Sequence, residues 1–135
     1  MSEQNVARVR ASITAFSRGD LDEALANFDP DIVWEVGAEM QPDADTYRGH
    51  EGVRAFWGLW RDTFEGFELV IEECRAVGED HVLARTWGRG RGAGSGVLVD
   101  SPPFVQLMEF RGGRVVRVRM HGSERAALRA AGLAG

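Results

Sequence analysis

The sequence predicts an α+β fold in which an antiparallel sheet is covered on one side by helices. Three observations carry this. In the first half Val53, Phe56, Trp57, Trp60 and Phe64 fall at i, i+3, i+4, i+7 and i+11, the spacing of one helix face, while Glu51, Arg54, Arg61 and Asp62 take the other. In the second half apolar residues alternate with polar ones, as in half-buried strands. Turn signals at Gly78-Glu79-Asp80 and Gly112-Gly113 then join those strands as hairpins.

Taken in order, a first helix is expected from Gln4 to Arg18, with Val6, Val9, Ile13 and Phe16 on one face and Gly19 as its stop. Asp20, with Glu23 three residues on, caps a second whose buried side is Leu21, Ala24, Leu25 and Phe28. Asp29-Pro30-Asp31 breaks it, because proline lacks the donor a helix needs. Ile32 to Val36 reads as a strand with Ile32, Trp34 and Val36 on one side and Val33 and Glu35 on the other. The Gly-, Pro- and Asp-rich stretch 37–47 is a loop, and the aromatic helix opens near Gly49 and His50.

Four strands follow. Phe67 to Val77 puts Phe67, Leu69 and Ile71 on one face, and His81 to Arg89 is its hairpin partner. GRGRGAGSG, residues 88–96, lacks the Lys-Ser/Thr ending of a phosphate loop and reads as a flexible hairpin end or bulged strand. Val97 to Arg111 is a long strand interrupted at Pro102-Pro103, with Phe104, Gln106, Met108 and Phe110 on one face. Val115 to His121 returns with Val116, Val118 and Met120 inward, and Ser123 caps a last short helix ending at Gly132.

A chain of 135 residues, 44% apolar, is the size of one domain. The single cysteine, Cys74, forms no internal disulfide, no run approaches the ~18 apolar residues of a membrane span, and the N-terminus lacks a signal-peptide pattern. These features point to a soluble cytoplasmic protein with no membrane partner. A net charge of −5 argues against nucleic acid. Residues 1–84 hold 18 acids and 7 arginines, a net −11, whereas residues 85–135 hold 3 acids and 9 arginines, a net +6. The two halves are therefore expected to pair across one sheet or a dimer. All 16 basic residues are arginine, which excludes Schiff-base or general-base lysine chemistry.

The runs GDLDEALANFDPDIVWEV, YRGHEGVRAFW and FRGGRVVRVRMHGSERAALRAAGL resemble the SnoaL-like branch of the nuclear-transport-factor-two-like superfamily, which also holds ketosteroid isomerases, limonene epoxide hydrolases and scytalone dehydratases. The resemblance covers nearly the whole chain. It implies a cone-shaped, cystatin-like α+β roll with an apolar pocket between curved sheet and helices, in a homodimer. It also implies where isomerase groups would stand: the Asp base at Val36, the protonated acid at Gln106 and the tyrosine near Ser12. A valine cannot abstract a proton, so that isomerase mechanism is not expected. The epoxide-hydrolase pattern needs an Asp-Arg-Asp set; Arg85 is available, but strands 82–88 and 115–121 contain no acid.

Alternation and the superfamily pattern together place Trp34, Val36, Phe56, Trp57, Trp60, Arg85, Trp87, Gln106, Met108, Val118 and Met120 around the pocket. That lining suits a small apolar or aromatic molecule, though the same residues would also make a filled core. Arg85 either anchors an anion inside or turns outward to Glu68, Glu72 or Glu73. Gln106 either donates to a ligand oxygen or bonds the backbone. His121, a candidate general base, shares the phase of Arg117 and Arg119 and is expected outside or at an interface. His50 reads as a helix-start residue and His81 as a turn residue; with no ligand spacing among the histidines, neither metal nor cofactor is expected. Tyr47, Glu35, Glu39 and Asp45 stand where a rim group could reach the mouth or remain solvated. Two functions follow: a cofactor-independent isomerase, cyclase or dehydratase acting on a polyketide-like, terpenoid or aromatic substrate, or a non-catalytic dimeric binding module.

Overall fold

The computed structural model describes residues 2–41 and 46–133. Helix α1 (Ser2–Arg18) ends where Gly19 turns left-handed, at φ +86°, and the amides of Gly19 and Asp20 close onto the Phe16 and Ala15 carbonyls. Asp20 caps α2 (Leu21–Leu25) by accepting from the Glu23 amide at 3.1 Å. This helix is a single turn, shorter than expected, because Phe28 already belongs to strand β1 (Phe28–Val36). Phe28 pairs in parallel with Val115, and Pro30 falls in the irregular stretch before pairing resumes at Val33, where its missing N–H breaks no ladder bond.

A short β2 (Thr46–Arg48) precedes α3 (Gly49–Thr63), whose start is tied to β1 by His50 Nε2 at 2.9 Å from the Phe28 carbonyl. The meander is β3 (Phe64–Val77), β4 (His81–Gly92), β6 (Phe104–Arg111) and β7 (Arg114–His121), with a short β5 (Leu98–Asp100) added beside the end of β4. Sheet order is β2-β1-β7-β6-β4-β3, antiparallel except for the β1–β7 pair. The sheet is curved and open. Helices α1, α2 and α3 pack on its concave face, while α4 (Glu124–Ala130), capped by Ser123, lies on the convex face.

The two faces bury different things. The concave core gathers Val9, Ile13, Phe16, Phe28, Ile32, Trp34, Val53, Phe56 and Trp57 with the inward residues of the meander. The convex core is small: Leu83, Val105 and Leu107 under Ala127. Beside it an ion-pair strip crosses the strands, from Glu35 to Arg117 (3.0 Å) and Arg119 (3.7 Å), then from Arg119 to Glu109 (3.1 Å). The acidic first half and basic second half thus meet within one sheet, through the parallel β1–β7 pair.

Two phase expectations need correction. Val115, not Val116, is buried at the start of β7, because Val116 is an extra residue where the β6–β7 register shifts after Glu109. On β4 the inward set is Val82, Ala84, Thr86, Gly88 and Gly90, which leaves Arg85 and Trp87 on the convex side. The glycine run explains this choice. A Cβ on Gly88 would stand 2.6 Å from Phe67 Cζ, and one on Gly90 2.8 Å from Phe64 Cβ, so these glycines let two aromatic rings lie directly on the strand. Of the two readings of 88–96, residues 88–92 are paired strand with a register shift opposite Glu65 and Glu68, and residues 93–95 make the turn into β5.

Candidate functional site

Helix α3 lays its aromatic face over the concave sheet because Val53, Phe56 and Trp57 have nowhere else to leave water. Trp57 meets Phe16 edge-on at 5.1 Å and Trp34 at 5.9 Å; Phe56 lies 5.7 Å from Trp34; Trp60 stacks on Phe67 at 5.7 Å. These rings fill most of the space. They leave a cavity of ≈ 40 Å³, lined also by Ser12, Ile13, Phe28, Leu69, Ser101, Phe104, Gln106, Met108 and Met120. That volume holds a few water molecules. The rings thus make an aromatic core that encloses a small hollow.

Among the described residues no ionisable side chain lines this cavity. Its polarity comes from a few neutral groups. Gln106 is 3% exposed, and its amide has no hydrogen-bond partner among the described residues. Trp34 Nε1 is also buried without a partner, as is the hydroxyl of Thr86, which faces the same side of the sheet. Each unpaired buried group costs about 1–3 kcal/mol, so a donor left this way marks a place where an acceptor is missing. Ser12 is engaged, donating to the Ala24 carbonyl at 2.7 Å.

The expected site residues divide among four places. Trp34, Phe56, Trp57, Trp60, Gln106, Met108 and Met120 line the cavity. Val118 is fully buried beneath the wall, and Val36 lines an outer groove at the end of β1. Arg85 and Trp87 lie on the opposite face: Arg85 Nη2 reaches Glu124 Oε2 on α4 at 3.2 Å, and Trp87 sits under the Arg89 guanidinium, 4.9 Å from its ring centre. Arg85 is thus outward, as one of its two readings held, but its partner is Glu124 and not Glu68, Glu72 or Glu73.

His121 is outward too, with Nδ1 2.7 Å from Glu39 Oε1. Partial burial pushes the Glu39 carboxyl up, but hydrogen bonds from its own amide, His121 and the Gly122 amide outweigh this and hold it below its ordinary value. Glu39 is therefore turned to the end of β7 and away from the cavity, and Asp45 lies outside the described residues. Tyr47 stacks on Phe56 at 4.6 Å, behind the cavity wall. Burial pushes the Cys74 thiol up. Among the described residues no cluster of His, Cys, Asp or Glu could hold a metal, and no helix is long and apolar enough to cross a membrane.

Sequence reasoning missed Ser12, Ile13, Phe16, Phe28, Phe67, Leu69, Ser101 and Phe104 as cavity walls. Several of these lie on the apolar faces that periodicity predicts, but a face does not tell its depth. The signal that could have set the β4 phase was the period-two glycines 88, 90 and 92.

The chain matches the SnoaL-like domain model over residues 9–118. No curated protein matches it by sequence. Among solved structures it resembles an NTF2-like protein of unknown function from Burkholderia pseudomallei K96243, with 28% identity over 96% of this chain and 97% of that one and a TM-score of 0.75. Bal32a, from a soil-derived mobile gene cassette, is 24% identical over 93% and 94% of the two chains, with a TM-score of 0.78. TerC, co-crystallised with polyporic acid, is 22% identical over 91% and 94%, with a TM-score of 0.74. With the roll and its apolar cavity already described, the family match over most of the chain shows that this protein belongs to the SnoaL-like family of the nuclear-transport-factor-two-like superfamily.

Proposed function

We propose that this SnoaL-like protein binds a small, flat, apolar or aromatic molecule bearing an oxygen acceptor, and that it does so between the concave sheet and α3. The observation that carries the reading is Trp34 Nε1, a buried donor with no partner among the described residues, beside the inward Gln106 amide in a wall whose other polar members are Ser12 and Ser101. Indole N–H only donates, and a glutamine amide both donates and accepts, so a carbonyl or hydroxyl oxygen satisfies both. The apolar body of the ligand contributes by leaving water against Phe56 and Trp60 at the mouth of the cavity. TerC, which shares the fold, was crystallised with a small molecule.

The primary role under this reading is binding. With Arg85 held by Glu124, the only group left from the expected catalytic pair is Gln106. A second reading, isomerase, cyclase or dehydratase chemistry without a cofactor, draws on the same donors: Gln106 and Trp34 would stabilise negative charge developing on the ligand oxygen, with proton transfer left to the substrate or water. The homodimer belongs to the proposal as well, and sedimentation at micromolar protein tests it: a single-chain mass of 14.9 kDa contradicts it.

The binding test uses two molecules of one shape, 2-acetylnaphthalene and 2-ethylnaphthalene, followed by quenching of tryptophan fluorescence. One satisfied hydrogen bond predicts about tenfold tighter binding of the ketone. Gln106→Leu should reduce that preference without abolishing binding of the hydrocarbon. Equal affinity for the two probes, or no binding of either, contradicts the reading. A ketone that is also converted by the wild type, but not by Gln106→Leu, would favour the catalytic role.

A further inference from the structure

Beside the inner cavity runs a groove of ≈ 430 Å³, walled by Val36, Met40, Gln41, Leu59, Thr63 and Phe64. It shares Phe56, Trp60 and Met120 with the cavity. These three side chains, none of them charged, face both spaces, and Trp60 is the half-exposed one among them. The inner space, ≈ 40 Å³, is too small for an aromatic ring, whereas ligand pockets run to about 300–1,000 Å³.

The groove's far wall is built and held. The Gly37 amide donates to the Met120 carbonyl at 2.8 Å, and the Met40 amide to the Gly37 carbonyl at 3.0 Å. Glu39 accepts from the Gly122 amide at 3.3 Å and meets His121 at 2.7 Å, so the segment carrying Met40 and Gln41 is clasped to the end of β7. Opposite, Leu59 stands 57% exposed on α3, an apolar side chain with no cover.

We propose that this groove is the larger subsite of the same pocket: it holds the apolar body of an elongated ligand whose oxygen-bearing tip passes Trp60 into the inner cavity. The inference rests on the ligand-binding reading above and adds to it the ligand's shape. The ligand class is an extended aromatic ketone or phenol of at least two rings, with its oxygen at one end. Trp60 sets the specificity: its indole must swing from Phe67 for the tip to enter, and in doing so it lies along the ligand body. Leu59, Met40 and Phe64 make an apolar trough for that body and recognise length, not polarity.

Two methyl ketones separate this inference from the reading beneath it: acetophenone, with one ring, and 4-acetylbiphenyl, with two. Affinities are read by tryptophan fluorescence for the wild type, Leu59→Arg and Thr63→Arg, both exposed positions where folding is checked by circular dichroism. The expected result is a biphenyl ketone bound at least about tenfold tighter than acetophenone by the wild type. Either arginine variant should erase that advantage while leaving acetophenone binding unchanged. A length advantage that is absent, or that survives both variants, overturns the subsite while the binding reading stands. Failure of both ketones to bind wild type overturns the binding reading and this inference with it. A variant that changes the oligomeric mass, measured by sedimentation, assigns the groove to a second copy of the chain and overturns the proposal.

Discussion

The two faces of the sheet are built from the same strands and answer to different physics. On the concave face almost every side chain is apolar, rings meet edge-on or stacked, and the few polar groups include several with no partner. On the convex face polar groups are partnered: Glu35, Glu109 and Glu124 engage Arg117, Arg119, Arg75 and Arg85, and Glu39 engages His121. Under the proposed reading, this unmet hydrogen-bonding capacity puts the ligand on the concave face. Charge marks the convex face as a surface already satisfied by its own chain.

The largest effect should come from the concave side. Trp57→Ala removes a ring packed by Phe16, Phe28 and Trp34, and a loss of about 3–5 kcal/mol is expected in urea unfolding. A loss below about 1 kcal/mol would mean that this face is not the main core. Gly88→Ala comes next, at about 1–3 kcal/mol, because the added methyl drives against the Phe67 ring, itself stacked between Trp60 and Phe64. An unchanged unfolding midpoint would contradict the close approach on β4.

On the convex side Arg85→Gln breaks a pair whose arginine is 41% exposed, so at most about 1 kcal/mol is expected, with ketone affinity unchanged. A drop in affinity without loss of stability would return Arg85 to the pocket. The smallest effect is the clasp at Glu39, a side chain nearly half exposed. Its folded pKa is lowered, so its contribution is fully present above its ordinary value of 4.5 and disappears as pH falls through the lower folded value. Acid unfolding of Glu39→Gln should consequently be less steep below pH 4.5 than that of the wild type. Identical acid limbs for the two proteins would contradict the clasp.

Much of this contrast was legible in the sequence wherever one face of an element was buried and the other wet. The aromatic stripe of α3, the Asp20 and Ser123 caps and the Gly112-Gly113 turn with φ +60° and +79° all follow from local patterns. Strand β4 defeated that logic. Val82, Leu83 and Ala84 are all buried, the first and third under the concave core and the second under α4, so alternation vanishes where both faces are covered. Bulk then misled: the large Trp87 looked inward, whereas the inward positions are glycines that make room for Phe64 and Phe67. The site was legible as a set of aromatic walls and one glutamine. What the sequence withheld was depth, because the cavity is the remainder left by rings from five different elements, and a bulge such as that at Val116 shifts which residue reaches it.

The most direct measurement is a crystal structure of the protein with 2-acetylnaphthalene. The account predicts ring density against Trp60 and a ketone oxygen within hydrogen-bond distance of Gln106 or Trp34 Nε1. Density on the convex face beside Arg85, or a cavity closed by repacked side chains with the ketone excluded, would contradict it.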